Sequence, residues 1–321
     1  MTIAFRPLSD GDYEALAELR NEASRVDMPP GAVETADEFR EDFESQPVHL
    51  PVDTLAAWDG DVLAGAVYAY HLPSEEREER CYVLGTVRPD YRGKAIGRRL
   101  IEWGLARAEA VLSASTVDIP KYIRVDAAMS NTAARRLFER YNLQPVRYFA
   151  DLHRPLADAP RPVQPDGIRI ARWDLARNEE ARIVKNDAFR DHWGSTPMTP
   201  EWWASSTTGI GSRLDLSYFA FNDRDELVGY LLTKRHDTDD AVVGAKYAWI
   251  DNIGTLKAWR GRGVASALIA TALGAYKDDG LDMAALGVDS ANPTGAYRLY
   301  ESLGFGLWRQ FVTYQREVAR P

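Results

Sequence analysis

The residues best suited to chemistry lie in the last quarter of the chain. Arg260-Gly261-Arg262-Gly263-Val264-Ala265 stands between an apolar alternating stretch and an apolar-faced helix that begins near Ser266. Its two glycines let the backbone take dihedrals closed to other residues and leave room for a bound group to approach. The N–H groups that open the following helix, at the positive end of its dipole, attract an anion. Successive N–H groups in such a turn form an anion nest, and Arg260 and Arg262 add charge. The same segment also reads as a tight turn with solvated arginines. Tyr300 shares a helical face with Ala296, Leu299 and Leu303 in AYRLYESLGF. That spacing suits a packed core tyrosine, and a phenol is also a proton donor. Asp251 alternates with Trp249 and Ile253, so it is expected on their strand face, as a base or as a cap or ion-pair residue. Gly254 suits a bulge or a close backbone approach.

Bulk properties narrow the classes. A chain of 321 residues suggests two domains, and 45% hydrophobic with 27% charged residues is ordinary for globular proteins. Cys81 is the one cysteine, so an intrachain disulfide or a cysteine metal cluster is excluded. The five histidines (His49, His71, His153, His192 and His236) lack ligand spacing, and no metal is expected. A net charge of −9 disfavours nucleic acid. No apolar run approaches the roughly 20 residues of a membrane span. MTIAFRPLSDGDYEAL lacks the pattern of a signal peptide. A cytoplasmic protein without membrane or nucleic-acid partners is the expectation.

The chain repeats itself. VLGTVRPDYRGKAIGRRLIEWGLARAEA from Val83 is echoed by IDNIGTLKAWRGRGVASALIATALGAY from Ile250. With Arg92 set on Arg260, Ile96 meets Val264, Leu100 meets Leu268, Ile101 meets Ile269 and Leu105 meets Leu273, all on one helical face. Further on, SNTAARRLFERYNL from Ser130 answers ANPTGAYRLYESLGF from Ala291, with Phe138 at the place of Tyr300. A strand–turn–strand signal precedes the first landmark in each half. Pro160, Pro162 and Pro165 break regular structure in ADAPRPVQPDG. The expected layout is a domain over 1–156, a linker over 157–167 and a second domain over 168–321.

Strand, Arg-x-x-Gly-x-Ala, helix, strand, then Asn…Leu-Tyr-x-x-x-Gly-Phe resembles the GNAT (GCN5-related N-acetyltransferase) superfamily, once per half and over nearly the whole chain. The resemblance implies an α/β (α+β) fold of two tandem GNAT-type domains, each a mixed, mostly antiparallel sheet flanked by helices. It implies acetyl-CoA as co-substrate and transfer of its acetyl group to the amine of a small molecule or peptide. Arg260, Gly261, Arg262, Gly263, Val264, Ala265 and Ser266 inherit the pyrophosphate role. Ile253 and Thr255 pair with pantetheine, and the Ile253 N–H points at the thioester carbonyl, an oxyanion-type donor. Asn292 caps its helix or contacts CoA. Tyr300 takes the place of the tyrosine that protonates the CoA sulfur. Asp251 is the candidate base, since Trp249 stands where several members carry a glutamate. Asp191, His192, Trp193, Trp202 and Trp203 border the acceptor or pack into the core. The first half departs from the pattern at Ala95, Phe138 and Asn142-Leu143, which implies a degenerate domain. A non-catalytic acyl-CoA sensor and a protein-lysine acetyltransferase are the other function classes.

Overall fold

The computed structural model describes residues 3–45, 48–291 and 295–318. Asn292 therefore lies outside the described residues. In chain order the first repeat forms β1 (Ala4–Arg6), α1 (Tyr13–Asp27), α2 (Ala36–Ser45), α3 (Leu50–Asp53), β2 (Thr54–Asp59), β3 (Val62–Leu72), β4 (Glu79–Val87), α4 (Ile96–Ala114), β5 (Lys121–Ala128), α5 (Thr132–Arg140) and β6 (Gln144–Pro155). The second repeat forms β7 (Ile168–Arg172), α6 (Asn178–Ala188), α7 (Pro200–Thr208), β8 (Tyr218–Asn222), β9 (Leu227–Lys234), α8 (Asp240–Val243), β10 (Tyr247–Thr255), α9 (Val264–Asp278), β11 (Met283–Asp289), α10 (Ala296–Ser302) and β12 (Gly306–Glu317). Among the described residues no helix is long and apolar enough to cross a membrane.

Two compact units result. One comprises Met1–Tyr148 with Gln310–Pro321, the other Phe149–Arg309. The Pro-rich stretch carries neither helix nor strand and falls inside the second unit. The first unit's strands run β1-β2-β3-β4-β5-β12, and the second's run β6-β11-β10-β9-β8-β7. The last strand of each repeat thus joins the sheet of the other: β12 pairs antiparallel with β5, and β6 with β11. Neighbours within each unit are antiparallel except β4 with β5 and β10 with β11. Each unit is a mixed, mostly antiparallel sheet flanked by helices.

In the second unit the period of 3.6 on α9 buries Val264, Leu268, Ile269, Ala272, Leu273 and Tyr276 against one sheet face, with Leu152, Leu231, Ile250 and Leu286. The Tyr276 hydroxyl and Thr233 Oγ1 satisfy each other within this core at 2.6 Å. α6 and α7 cover part of the opposite face through Val184, Trp203, Phe219, Phe221 and Tyr230. Thr199 starts α7 by accepting the Trp202 N–H at 3.2 Å, with Pro200 in the first turn. The first unit repeats the plan, with α4 on one face and α1 and α2 on the other.

The turns that start the two long helices share a backbone. Gly261 and Gly263 have φ of +73° and +81°, and Gly93 and Ala95 have +75° and +64°. A non-glycine residue in this left-handed region costs about 1 kcal/mol. Ala95→Gly is therefore expected to stabilise the first unit by about 1 kcal/mol, read as a higher denaturant midpoint. A lower midpoint would contradict this account of the turn.

Candidate active site

The centre of the second unit is a parting of two strands. β10 and β11 pair in parallel from Tyr247/Met283 to Ile250/Leu286 and no further. Beyond that point 252–255 stay with β9, through Asn252↔Leu232, Ile253↔Leu231, Gly254↔Tyr230 and Thr255↔Gly229. Gly287, Val288 and Asp289 stay with β6. The strands thus diverge, and among the described residues the facing edges of 252–255 and 287–289 lack a strand partner. Backbone polar groups on such an edge take partners other than a strand, and an extended polar group has the shape to supply them. Gly254 is obligatory here, because a Cβ would sit 2.6 Å from the Tyr230 ring.

A bulge between Ile250 and Asn252 sets which side chains face where. Asp251 is the extra residue, and past it the alternation is reversed. Ile253 therefore packs with Ile250 on the α9 side, and the expectation that Asp251, Trp249 and Ile253 share one face is corrected. Trp249 packs on the opposite side with Tyr247, Met283 and Ala285. Asn252 lies on that opposite side too, accepting a hydrogen bond from the Tyr230 hydroxyl. Asp251 acts on the buried Tyr230 hydroxyl electrostatically, helping to hold it well above its ordinary value behind a larger effect of burial. Asp251 is exposed to solvent at the bulge. Desolvation raises its carboxyl above the usual range against the pull of Lys234 and His236.

The glycine turn follows directly. Gly263 caps α9 in the left-handed conformation, and the first intrahelical bond shown runs from the Ala267 N–H to the Gly263 carbonyl at 2.9 Å. The N–H groups of Val264, Ala265 and Ser266 therefore point out of the helix start. Val264 buries its side chain in the core, leaving its backbone to the turn. Among the described residues nothing lies within 4 Å of a Cβ built on Gly261. The turn and the strand gap fit, respectively, an anion and an extended arm. Arg260 braces the turn, its Nε donating to the Thr255 carbonyl at 3.2 Å and its Nη2 to the Ala188 carbonyl at 2.6 Å. Arg92 repeats the first contact with the Val87 carbonyl at 3.1 Å and pairs with Asp27. Arg262 lies over the Trp259 ring, 4.9 Å from its centroid. The Thr255 hydroxyl is buried and has no hydrogen-bond partner among the described residues.

Tyr300 is 7% exposed and belongs to the α9-side core, its ring centroid 6.2 Å from that of Phe305. Burial pushes its hydroxyl up to about 12, and no hydrogen bond to it forms among the described residues. It is a phenol that keeps its proton across the neutral range. Gly304 closes α10 with φ +83°. In the first repeat Asn142 does the same at +59°, a conformation asparagine tolerates. There Phe138 packs edge-on to Tyr314 at 5.7 Å and has no proton to give.

The model of the acetyltransferase (GNAT) family matches residues 13–142 and again 178–305. The chain belongs to the GNAT acetyltransferase family. It is 32% identical over 273 residues to a mycothiol acetyltransferase of Thermobispora bispora, covering 82% of this chain and 83% of that one. A mycothiol acetyltransferase of Salinispora arenicola is 32% identical over 281 residues, with 84% and 83% covered. Among solved structures, a GCN5-related N-acetyltransferase from Sphaerobacter thermophilus aligns with a TM-score of 0.78 at 26% identity, covering 99% of this chain and 96% of that one. A tandem GNAT protein from the clavulanic acid biosynthesis pathway has the same fold, with a TM-score of 0.73 at 16% identity over the full length of both chains. This protein is an N-acetyltransferase of tandem GNAT layout.

The loop after α6 lies across the GNAT strand gap. Asp191 approaches Lys257 at 3.5 Å beside the glycine turn. His192 Nε2 lies 4.0 Å from the buried Asp289 carboxylate on β11, and its Nδ1 is 2.9 Å from the Trp193 carbonyl. The Trp193 ring faces Phe149 of β6 at 6.1 Å. Of the residues expected to border an acceptor, His192 and Trp193 reach the gap end of β11 and β6, Asp191 reaches the turn, and Trp202 packs part-buried against the α6 and α7 core. Trp203 is instead core, 2% exposed, its indole N–H donating to the Asn178 carbonyl at 2.9 Å. Sequence reasoning missed Asp289 and Asp151. Asp151 sits on β6, in the half assigned to the first domain, and pairs with Gly287. The signal was present as alternation in FADLH, which places Phe149, Asp151 and His153 on one face. Among the described residues no group of His, Cys, Asp or Glu is arranged to hold a metal ion.

Proposed function

We propose that the second unit transfers the acetyl group of acetyl-CoA directly to the primary amine of a small molecule or peptide, with Tyr300 as general acid. The observation that carries this reading is the combination, in one unit, of the strand gap at Ile250/Leu286, the left-handed glycine turn and a buried, protonated Tyr300. The turn residues from Arg260 to Ser266 hold the pyrophosphate through backbone N–H groups and nearby charge, and Ile253 and Thr255 hold the pantetheine arm. The Ile253 N–H donates to the carbonyl oxygen as it gains charge. Asp251 takes a proton from the acceptor ammonium, directly or through water, and the free amine attacks the thioester carbon. The C–N bond forms as the C–S bond breaks. Tyr300 gives its proton to the departing thiolate and recovers one from the new amide nitrogen.

Cys81 supports direct transfer. It is fully buried, and burial pushes its thiol up to about 12, so this cysteine is neither accessible nor ionised enough to carry an acyl group. The first unit keeps the turn but not the acid, in keeping with a degenerate partner. The name shared by the relatives makes the amine precursor of mycothiol the first acceptor to try. The test is acetylated product, identified by mass spectrometry, over that precursor, aminoglycosides, amino acids, polyamines and a lysine-containing polypeptide. The expected result is acetylation of a free small amine in preference to the polypeptide. Preference for polypeptide lysines would replace the acceptor class, and acetyl-CoA binding without any product would favour a sensor.

A further inference from the structure

Asp151 moves no proton in the proposed reaction, yet the fold holds it beside the gap. It is part-buried on β6, and no side-chain hydrogen bond or ion pair to it forms among the described residues. A part-buried carboxylate that no hydrogen bond or ion pair holds among the described residues keeps its charge at a cost. Its surroundings are also specific. A point one Cβ length from Gly287, the first residue after β11 leaves β10, is 3.8 Å from Asp151 Oδ1 and 3.8 Å from Trp249 Cζ2. Because position 287 is a glycine, that point is empty, and the opening is framed by a carboxylate on one side and an indole on the other. Phe149 with Trp193 and Asp289 with His192 stand at the gap end of the same face. A carboxylate beside an aromatic ring is the chemistry that receives an ammonium group.

We propose that Asp151 binds the acceptor's ammonium group in this opening and so determines specificity for a cationic amine. The proposal rests on the acetyltransferase reading above and leaves Asp251 and Tyr300 in their roles there. Burial lifts the Asp151 carboxyl from 3.8 to about 6, against the charge of Arg309 at the start of β12. Tyr247 on β10, with its hydroxyl on Asp239, Lys234 on β9 opposite Trp249, His153 on β6, and Asp289 on β11 with His192 beside it are further titratable groups of this face. A bound ammonium supplies the missing partner and draws the carboxyl back to its charged form. Without ligand the folded protein binds a proton at Asp151 that the unfolded chain has lost between pH 3.8 and about 6. Stability from this group therefore falls as pH rises through that window and stays lower above it.

Asp151→Asn is tested for both consequences in the full chain. The KM for the amine should rise on the order of 10- to 100-fold, while the dissociation constant for CoA stays unchanged. The thermal midpoint at neutral pH should rise, because a desolvated charge has been removed. A structural carboxylate would do the reverse and lower the midpoint. Gly287→Ala is the second variant. Its methyl makes ordinary contacts with Asp151 and Trp249, so folding is preserved while the opening is filled, and the amine KM should again rise. An unchanged amine KM in both variants, with wild-type activity intact, overturns the proposal alone. Absence of amine acetylation by the wild type overturns the reading beneath it as well.

Discussion

Tyr300→Phe should lower kcat for amine acetylation on the order of 10²- to 10⁴-fold, the range for losing a general acid. The KM for acetyl-CoA and the unfolding midpoint should barely move. The ring stays in the core against Phe305, and the lost hydroxyl makes no hydrogen bond among the described residues. Phe138→Tyr, at the matching place in the first repeat, should leave turnover nearly unchanged. Equal, small effects of both substitutions would contradict the assignment of the acid. The pH dependence follows from the same burial. With the hydroxyl held up to about 12, the acid keeps its proton through the usual assay range. At saturating amine, kcat should then show no alkaline fall between roughly pH 7 and pH 10, and any acidic fall belongs to the carboxylates. An alkaline limb that disappears in Tyr300→Phe would mean that Tyr300 titrates lower than its burial dictates.

Gly261→Asp should weaken acetyl-CoA binding on the order of 10²- to 10³-fold and leave the fold nearly intact. Aspartate tolerates positive φ better than most residues, and a Cβ at this position meets nothing within 4 Å among the described residues. The carboxylate instead places a negative charge where the turn is to receive an anion. Two such charges about 4 Å apart repel by roughly 4 kcal/mol at an effective dielectric of 20, and salt screening reduces this. Titration of CoA by calorimetry at two salt concentrations checks it, with the larger loss expected at low salt. Gly263→Ala is the contrasting control. Its first-repeat counterpart, Ala95, already holds the same conformation at φ +64°, so a cost of about 1 kcal/mol in stability is expected, with binding retained. Unaltered CoA affinity in Gly261→Asp would mean that the turn does not hold the pyrophosphate.

The local plan was legible because it rests on local physics. The apolar period of α9, the paired glycines before it and the Gly-Phe that ends α10 each leave a mark within a few residues. The repeat then gave the layout twice over. Two features were not legible. The exchange of last strands was hidden because β6 and β12 follow equivalent landmarks, and choice of sheet is a long-range pairing matter that alternation does not encode. That exchange brings Asp151 to the second unit's site from the first repeat. The bulge at Asp251 was the other. Side-chain alternation predicts faces only in an unbroken strand, and one inserted residue between Ile250 and Asn252 moved Ile253 to the core side. A glycine at 254 signalled that something irregular was near, but not which residue would be extra. Arg260 shows a third kind of difference. Its charge pointed to an anion, and the structure shows its guanidinium tied to two backbone carbonyls, so it shapes the turn whatever it adds electrostatically.

The most direct test of the central claim is rapid-quench measurement of CoA thiol release from acetyl-CoA, with and without the acceptor amine chosen from the panel. The account predicts no release and no acetylated protein without amine, and stoichiometric CoA and amide when amine is present. Release of CoA with acetyl left on the protein in the absence of amine would contradict direct transfer at the β10–β11 gap.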